Sequence, residues 1–169
     1  MSDFGLLFLI AAFYLESEFE MEDKIIGKMT LYNQFTKELD GLYHLYARRS
    51  GLADTAFWIL YSIEESQSVY TQKELCEAWS YSRQTVNSAL KKLEAQEIIE
   101  LVPLPDNRKN KQIVLTESGK ALVEQVIAPL IEAEKNVFVK LGDQDADEFL
   151  RLTQRHLELF HEEIKQVLR

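Results

Sequence analysis

The sequence is poor in cysteine, in proline and glycine, and in positive charge, and it has no long hydrophobic run. A single cysteine, Cys76, excludes an intramolecular disulfide and any multi-cysteine metal cage. Two readings of this thiol are open: a buried, inert side chain on a helix, which is the usual state of a free cysteine, and a redox sensor. Six Gly and three Pro leave no room for a collagen-like repeat or a long flexible linker. Nineteen Lys and Arg against 28 Asp and Glu give a formal net charge of -9. A protein that coats nucleic acid non-specifically would be basic overall, so this balance argues against one. It leaves room for a DNA reader whose positive charge is local, because screening limits distant charges to ~8 Å at physiological salt.

The longest apolar stretch, residues 4–15, holds about twelve residues, whereas a membrane-spanning helix needs ~20. It also lacks the basic flank of a signal peptide: Asp3 precedes it, and Glu16, Glu18 and Glu20 follow. Residues 1–20 therefore read as an apolar N-terminal extension, either a helix buried against a partner subunit or a segment ahead of a second start at Met21. A membrane-tethered protein is the alternative reading, and no stable membrane association is expected.

Catalytic chemistry is missing as well. There is no Gly-rich phosphate loop, no nucleophile beside a base and no pair of carboxylates in a rigid setting. The histidines are His44, His156 and His161; the last two are five apart and do not share a helical face as an i,i+4 metal pair would. The expectation is a protein that is not an enzyme, with no cofactor and no metal.

What the sequence does contain begins with a helix over residues 21–49. Ile25, Met29, Tyr32, Phe35, Leu39, Leu42, Tyr43 and Tyr46 recur at gaps of three and four and define one face. Gly51 ends the helix in the left-handed position. Asp54 is the expected cap of the next helix, whose residues 56–63 are apolar nearly all round and hence buried. Trp58 and Tyr61 read as core; a ligand wall is the other reading.

Thr71 and Glu74 have the spacing of a capping box, predicting a helix over residues 72–79. Ser80, Tyr81 and Ser82 allow only a tight turn, with Ser82 capping a second helix over residues 83–96. Two helices joined so briefly make a helix-turn-helix. On the second helix Val86, Ala89, Leu90 and Leu93 share one side. Gln84, Asn87, Ser88 and Lys91 lie opposite, with Lys92 on the flank and no acid through the first three turns. Asn and Gln can bond adenine bidentately in the major groove, Lys can reach guanine or phosphate, and Ser can reach either. A solvated surface is the bland alternative, but in so acidic a chain it would mix Glu with Lys. With Ser82, Arg83 and Thr85 at the start of the helix, this face is the candidate DNA-reading surface.

A β-rich run over residues 98–102 follows. Pro103, Pro105, Asp106 and Asn107 are turn residues; Arg108, Lys109 and Lys111 form a basic loop tip; residues 112–115 make the return strand. This wing, residues 103–112, is placed to enter the adjacent minor groove, whose negative potential favours Arg. Thr116 caps a helix running to about Leu141, kinked at Pro129. Gly142 ends it, and Asp143 or Asp145 starts a last helix striped by Phe149, Leu150, Leu157, Phe160, Ile164 and Leu168. Long apolar stripes with little domain to cover them predict a dimer, and a two-fold dimer presents two reading helices about one DNA turn, ~34 Å, apart.

Over residues 21–169 the chain resembles the MarR family of bacterial transcription regulators. The stretch TQKELCEAWSYSRQTVNSALKKLE looks like that family's reading unit, and Asp106, Arg108, Leu115, Thr116 and Gly119 look like its wing signature. The resemblance implies a mainly α fold with a small β-hairpin wing. It divides the chain into the extension 1–20, a first dimerisation helix 21–51, a winged helix-turn-helix lobe 52–116 and C-terminal dimerisation helices 117–169. It implies a cytoplasmic homodimer on a pseudo-palindromic double-stranded operator, acting as a repressor. A small-molecule effector between the reading and dimer lobes would change the spacing of the reading helices. Tyr43, His44, Tyr46, Trp58 and Tyr61 are the effector candidates, and Asp106 would orient Arg108. The spacing from Arg108 to Leu115 is one residue longer than the pattern, so Asn107 and Lys109 compete with Asp106 and Arg108 for those roles. Cys76 does not match the reactive cysteine of the family's peroxide-sensing branch. An adaptor that keeps the fold but binds protein is the remaining alternative.

Overall fold

A computed structural model describes the backbone of residues 3–66, 70–104 and 107–169, and the side chains of 21–66, 71–104 and 111–169. The chain divides into two compact units, Met1–Asp54 and Thr55–Arg169.

The first unit is one helix, α1 (Asp3–Arg49), followed by a turn. It passes residue 21 without a break, so the extension and the first predicted helix are a single backbone element. The expected burial of residues 4–15 lies outside the described side chains. From Met21 onward only Ala47 is buried, while Met29, Tyr32, Phe35, Leu39 and Leu42 are all more than half exposed. Gly51 closes the helix at φ 77°, a conformation that strains any residue with a Cβ. Ser50 Oγ donates to the Ala47 carbonyl at 2.6 Å and accepts from Leu52 N at 3.3 Å, so the turn's polar groups are partnered.

In the second unit α2 (Asp54–Ser66) supplies the centre of the core, with Phe57, Ile59 and Leu60 at 0% exposure. The prediction of Asp54 as a cap is corrected: it is the first residue of α2, and its carboxylate pairs with His44 Nδ1 at 3.0 Å. A carboxylate in the first turn still complements the helix dipole. Strand β1 (Tyr70–Thr71) leads into α3 (Gln72–Trp79) and α4 (Arg83–Ala95). Next come β2 (Ile99–Leu104) and β3 (Asn107–Leu115). The three strands form an antiparallel sheet in the order β1-β3-β2. Leu75, Val86, Leu90, Leu93, Ile99, Ile113, Val123 and Ile127 join α2 in the core; each such side chain contributes about 1.5–3 kcal/mol by leaving water.

Two expectations change at the C-terminal end. The single kinked helix to Leu141 is instead two helices, α5 (Glu117–Val126) and α6 (Ala128–Val167), because Pro129 sits in the first turn of α6. Proline there loses no helical hydrogen bond, so it starts a helix rather than bending one. Gly142, at φ 75° and ψ 161°, then breaks α6 where the sequence predicted an end. No residue of α6 is buried, and Val137, Phe138, Phe149, Leu157 and Phe160 stand exposed. On α6 Arg151 donates to Glu148 through Nε at 2.6 Å and Nη2 at 2.7 Å, which holds the Glu148 carboxyl below its ordinary range.

Candidate nucleic-acid interface

The helix-turn-helix is built from local caps. Thr71 Oγ1 accepts from Glu74 N, and Glu74 Oε2 accepts from Thr71 N at 2.7 Å, which completes the capping box. Ser80 takes the left-handed conformation at φ 52° and turns the chain within three residues. Ser82 Oγ then accepts from Thr85 N at 3.1 Å and meets Thr85 Oγ1 at 2.7 Å. At its far end α4 closes in a Schellman motif: Ile98 N donates to Leu93 O and Glu97 N to Glu94 O, with Glu97 at φ 56°.

These caps fix which side of α4 faces outward. Val86, Ala89, Leu90 and Leu93 are buried, as their spacing predicted. Ser82, Arg83, Gln84, Thr85, Asn87, Ser88, Lys91 and Lys92 are exposed. The first exposed acid on the helix is Glu94, so the face carries donors, acceptors and positive charge over three turns.

Tertiary contacts that no sequence pattern announces set the angle of the unit. Gln72 Nε2 donates to the Arg83 carbonyl at 3.0 Å, joining the start of α3 to the start of α4. Trp79 Nε1 donates to Ser62 Oγ at 2.6 Å, and Ser62 Oγ donates to the Trp58 carbonyl at 2.9 Å. The Trp58 and Trp79 rings lie 4.6 Å apart. Tyr61 Oη donates to Glu134 Oε2 at 2.8 Å, linking α2 to α6. Trp58 and Tyr61 are thus committed to packing and hydrogen bonding inside the second unit, whereas Tyr43, His44 and Tyr46 lie on α1. A cleft of about 360 Å³ in the second unit is lined by Glu64, Glu65, Glu124, Pro129, Ile131, Glu132 and Lys135, among other residues; none of the five aromatic effector candidates lines it.

The wing differs from its prediction. Pro103 and Leu104 belong to β2 rather than to a turn, and the return strand begins at Asn107, not Gln112. Pro103 is tolerated because β2 is an edge strand, where a missing N–H costs no ladder bond. Arg108, Lys109 and Lys111 therefore lie along the β3 backbone rather than in a loop tip. The pairing shifts between Pro103↔Lys111 and Leu104↔Asn107. This irregularity falls within the Arg108 to Leu115 stretch whose spacing is one residue longer than the pattern. Lys111 is exposed; the side chains of Arg108 and Lys109 lie outside those described, and Asp106 lies outside the described residues altogether.

The end of the wing signature has a structural role. Thr116 Oγ1 caps α5 by accepting from Gly119 N at 3.0 Å and also donates to the Glu97 carbonyl at 2.5 Å. A Cβ on Gly119 would overlap the Ile98 carbonyl oxygen. The Leu-Thr-x-x-Gly stretch thus locks the end of α4 against α5. Among the described residues no group of three His, Cys, Asp or Glu side chains converges on one point, and no helix is long and apolar enough to cross a membrane.

Comparison with known proteins agrees with this geometry. Residues 50–109, which span α2, β1, α3, α4, β2 and the start of β3, match the sequence model of the MarR family. A stretch of 57 residues is 35% identical to the HTH-type transcriptional repressor NicR of Pseudomonas putida, covering 34% of this chain and 36% of that protein. The match thus spans about a third of the repressor's length. Among solved structures, NMB1585, a MarR family regulator from Neisseria meningitidis, superposes with a TM-score of 0.62 at 24% identity, over 79% of this chain and 96% of that one. The complex of S. aureus MepR with DNA gives 0.59 at 20% identity, over 77% and 95%. These two likenesses establish the fold: a mainly helical winged helix-turn-helix with a β-hairpin wing.

Proposed function

We propose that the chain, whose residues 50–109 match the MarR family model, is a homodimeric transcription regulator of that family that reads a pseudo-palindromic duplex. In this reading α4 enters the major groove and presents Gln84, Asn87, Ser88 and Lys91 to base edges, while Arg83 and Lys92 stand near phosphates. The wing follows the adjacent minor groove, with Arg108, Lys109 and Lys111 as its cations and Asp106 as the residue that orients them. The exposed apolar faces of α1 and α6 are the surfaces that a second copy covers. Repression is the mode favoured by the similarity to NicR, and relief by a small-molecule effector belongs to the same proposal, with Tyr43, His44 and Tyr46 of α1 as candidates. The protein performs no chemistry of its own and works in the cytoplasm, beside its DNA.

The observation that carries the reading is the division of α4: a buried face of Val86, Ala89, Leu90 and Leu93 beneath an exposed face free of acid for three turns, in a chain of net charge -9. Acidic surroundings repel phosphate everywhere except at that face and the wing, which suppresses non-specific contact. The test separates cations from readers. Lys92→Ala is expected to weaken all duplexes alike and to lower the salt slope by about one phosphate, whereas Asn87→Ala relaxes preference at one position. Equal effects of the two variants on every sequence would refute base readout by α4.

A further inference from the structure

The start of α4 bears on which bases the helix reads. Thr85 is exposed, but its hydroxyl is occupied: Oγ1 lies 2.7 Å from Ser82 Oγ, and the Thr85 backbone N–H is held by that same oxygen at 3.1 Å. With its polar atom spent on the cap, Thr85 offers the groove chiefly a methyl group. Its neighbour Gln84 is exposed and, among the described residues, its amide makes no hydrogen bond, so both its donor and its acceptor are available. The first turn of a recognition helix is the part that meets base edges. In the major groove a methyl finds its counterpart only on thymine, and a glutamine amide bonds bidentately to adenine N6 and N7. Gln72 adds to this by donating to the Arg83 carbonyl, which holds the first turn at a fixed height on α3.

We infer that each half-site contains an A·T element beneath the first turn of α4, its thymine methyl packed on the Thr85 γ-methyl and its adenine bonded by Gln84. This rests on the DNA-reading function proposed above and goes beyond it by naming the bases. Thr85 is then a specificity-determining residue that works through its carbon, while its oxygen holds the helix start.

The experiment begins with selection of duplexes from a random pool by the full chain. In the selected site each thymine of one half-site is then replaced in turn by deoxyuridine, which removes only the 5-methyl group. Affinities are measured for the native chain and for Thr85→Ser, which keeps the capping hydroxyl and lacks the methyl. One thymine is expected to lose about fourfold in affinity on replacement, the ~0.8 kcal/mol of one buried carbon. Thr85→Ser, which removes the methyl from both protomers, is expected to bind the thymine duplex about fifteenfold more weakly, two such contacts being lost, and to bind thymine and uracil duplexes equally. Its unfolding midpoint should match that of the native chain, since the cap is kept. In a second arm, 7-deaza-adenine at the paired position, which removes the N7 acceptor, weakens the native chain but not Gln84→Ala. A selected site in which every deoxyuridine replacement is neutral would overturn the inference, as would a Thr85→Ser variant that still distinguishes thymine from uracil. Both results would leave the regulator reading standing. A selection that enriches no sequence at all would overturn that reading itself, and this inference with it.

Discussion

Gly119 and Ser62 are the positions where single atoms matter most. A Cβ at Gly119 meets the Ile98 carbonyl, which is backbone and cannot rotate away. Gly119→Ala is therefore expected to destabilise the fold by about 1–3 kcal/mol, the usual cost of forcing atoms into a packed site, read as a lower denaturant midpoint. Ser62 is 2% exposed and is the acceptor for the Trp79 indole N–H. Ser62→Ala leaves that donor unpaired and is expected to cost about 1–3 kcal/mol, with a change in tryptophan fluorescence reporting the altered Trp58–Trp79 packing. Glu97 runs the other way. It occupies a left-handed conformation that costs a non-glycine residue roughly 1 kcal/mol, so Glu97→Gly is expected to leave stability unchanged or raise it slightly. A clear loss in equilibrium unfolding would mean that the Glu97 side chain makes a contact outweighing this strain.

At the scale of elements, legibility follows how local the determining interaction is. The ends of α3 and α4 were readable because Thr71, Glu74 and Ser82 act within three residues of themselves. The buried stripe of α4 was readable because its helical period is intact. Pro129 misled because a proline inside an apolar pattern suggests a kink, while the start of a new helix also accepts it. Pro103 and Asn107 misled because their turn chemistry is real, yet an edge strand with a register shift absorbs both. The Gln72–Arg83, Trp79–Ser62 and Tyr61–Glu134 contacts join residues 11, 17 and 73 positions apart, and no sequence periodicity reports such pairs. Arg108→Ala is expected to weaken operator binding by about 1–3 kcal/mol if Arg108 is the groove residue, measured by fluorescence anisotropy. If Lys109→Ala loses affinity instead and Arg108→Ala does not, the wing is shifted by one residue, as the longer spacing allows.

For the whole molecule, the apolar faces of α1 and α6 decide the assembly. Phe35 on α1, and Leu157 and Phe160 on α6, are each more than half exposed in the single chain, and exposed apolar stripes of this kind mark interfaces. Phe160→Glu is expected to shift the chain toward monomer in sedimentation velocity and to weaken operator binding with it, since one reading helix cannot span two half-sites. The overall charge and the local face of α4 meet in one experiment, the salt dependence of duplex binding by the full chain. Sequence preference is expected at low salt, together with log K falling linearly in log salt by about 0.9 for each phosphate neutralised. Binding with no preference among duplexes and no dependence on salt would contradict it.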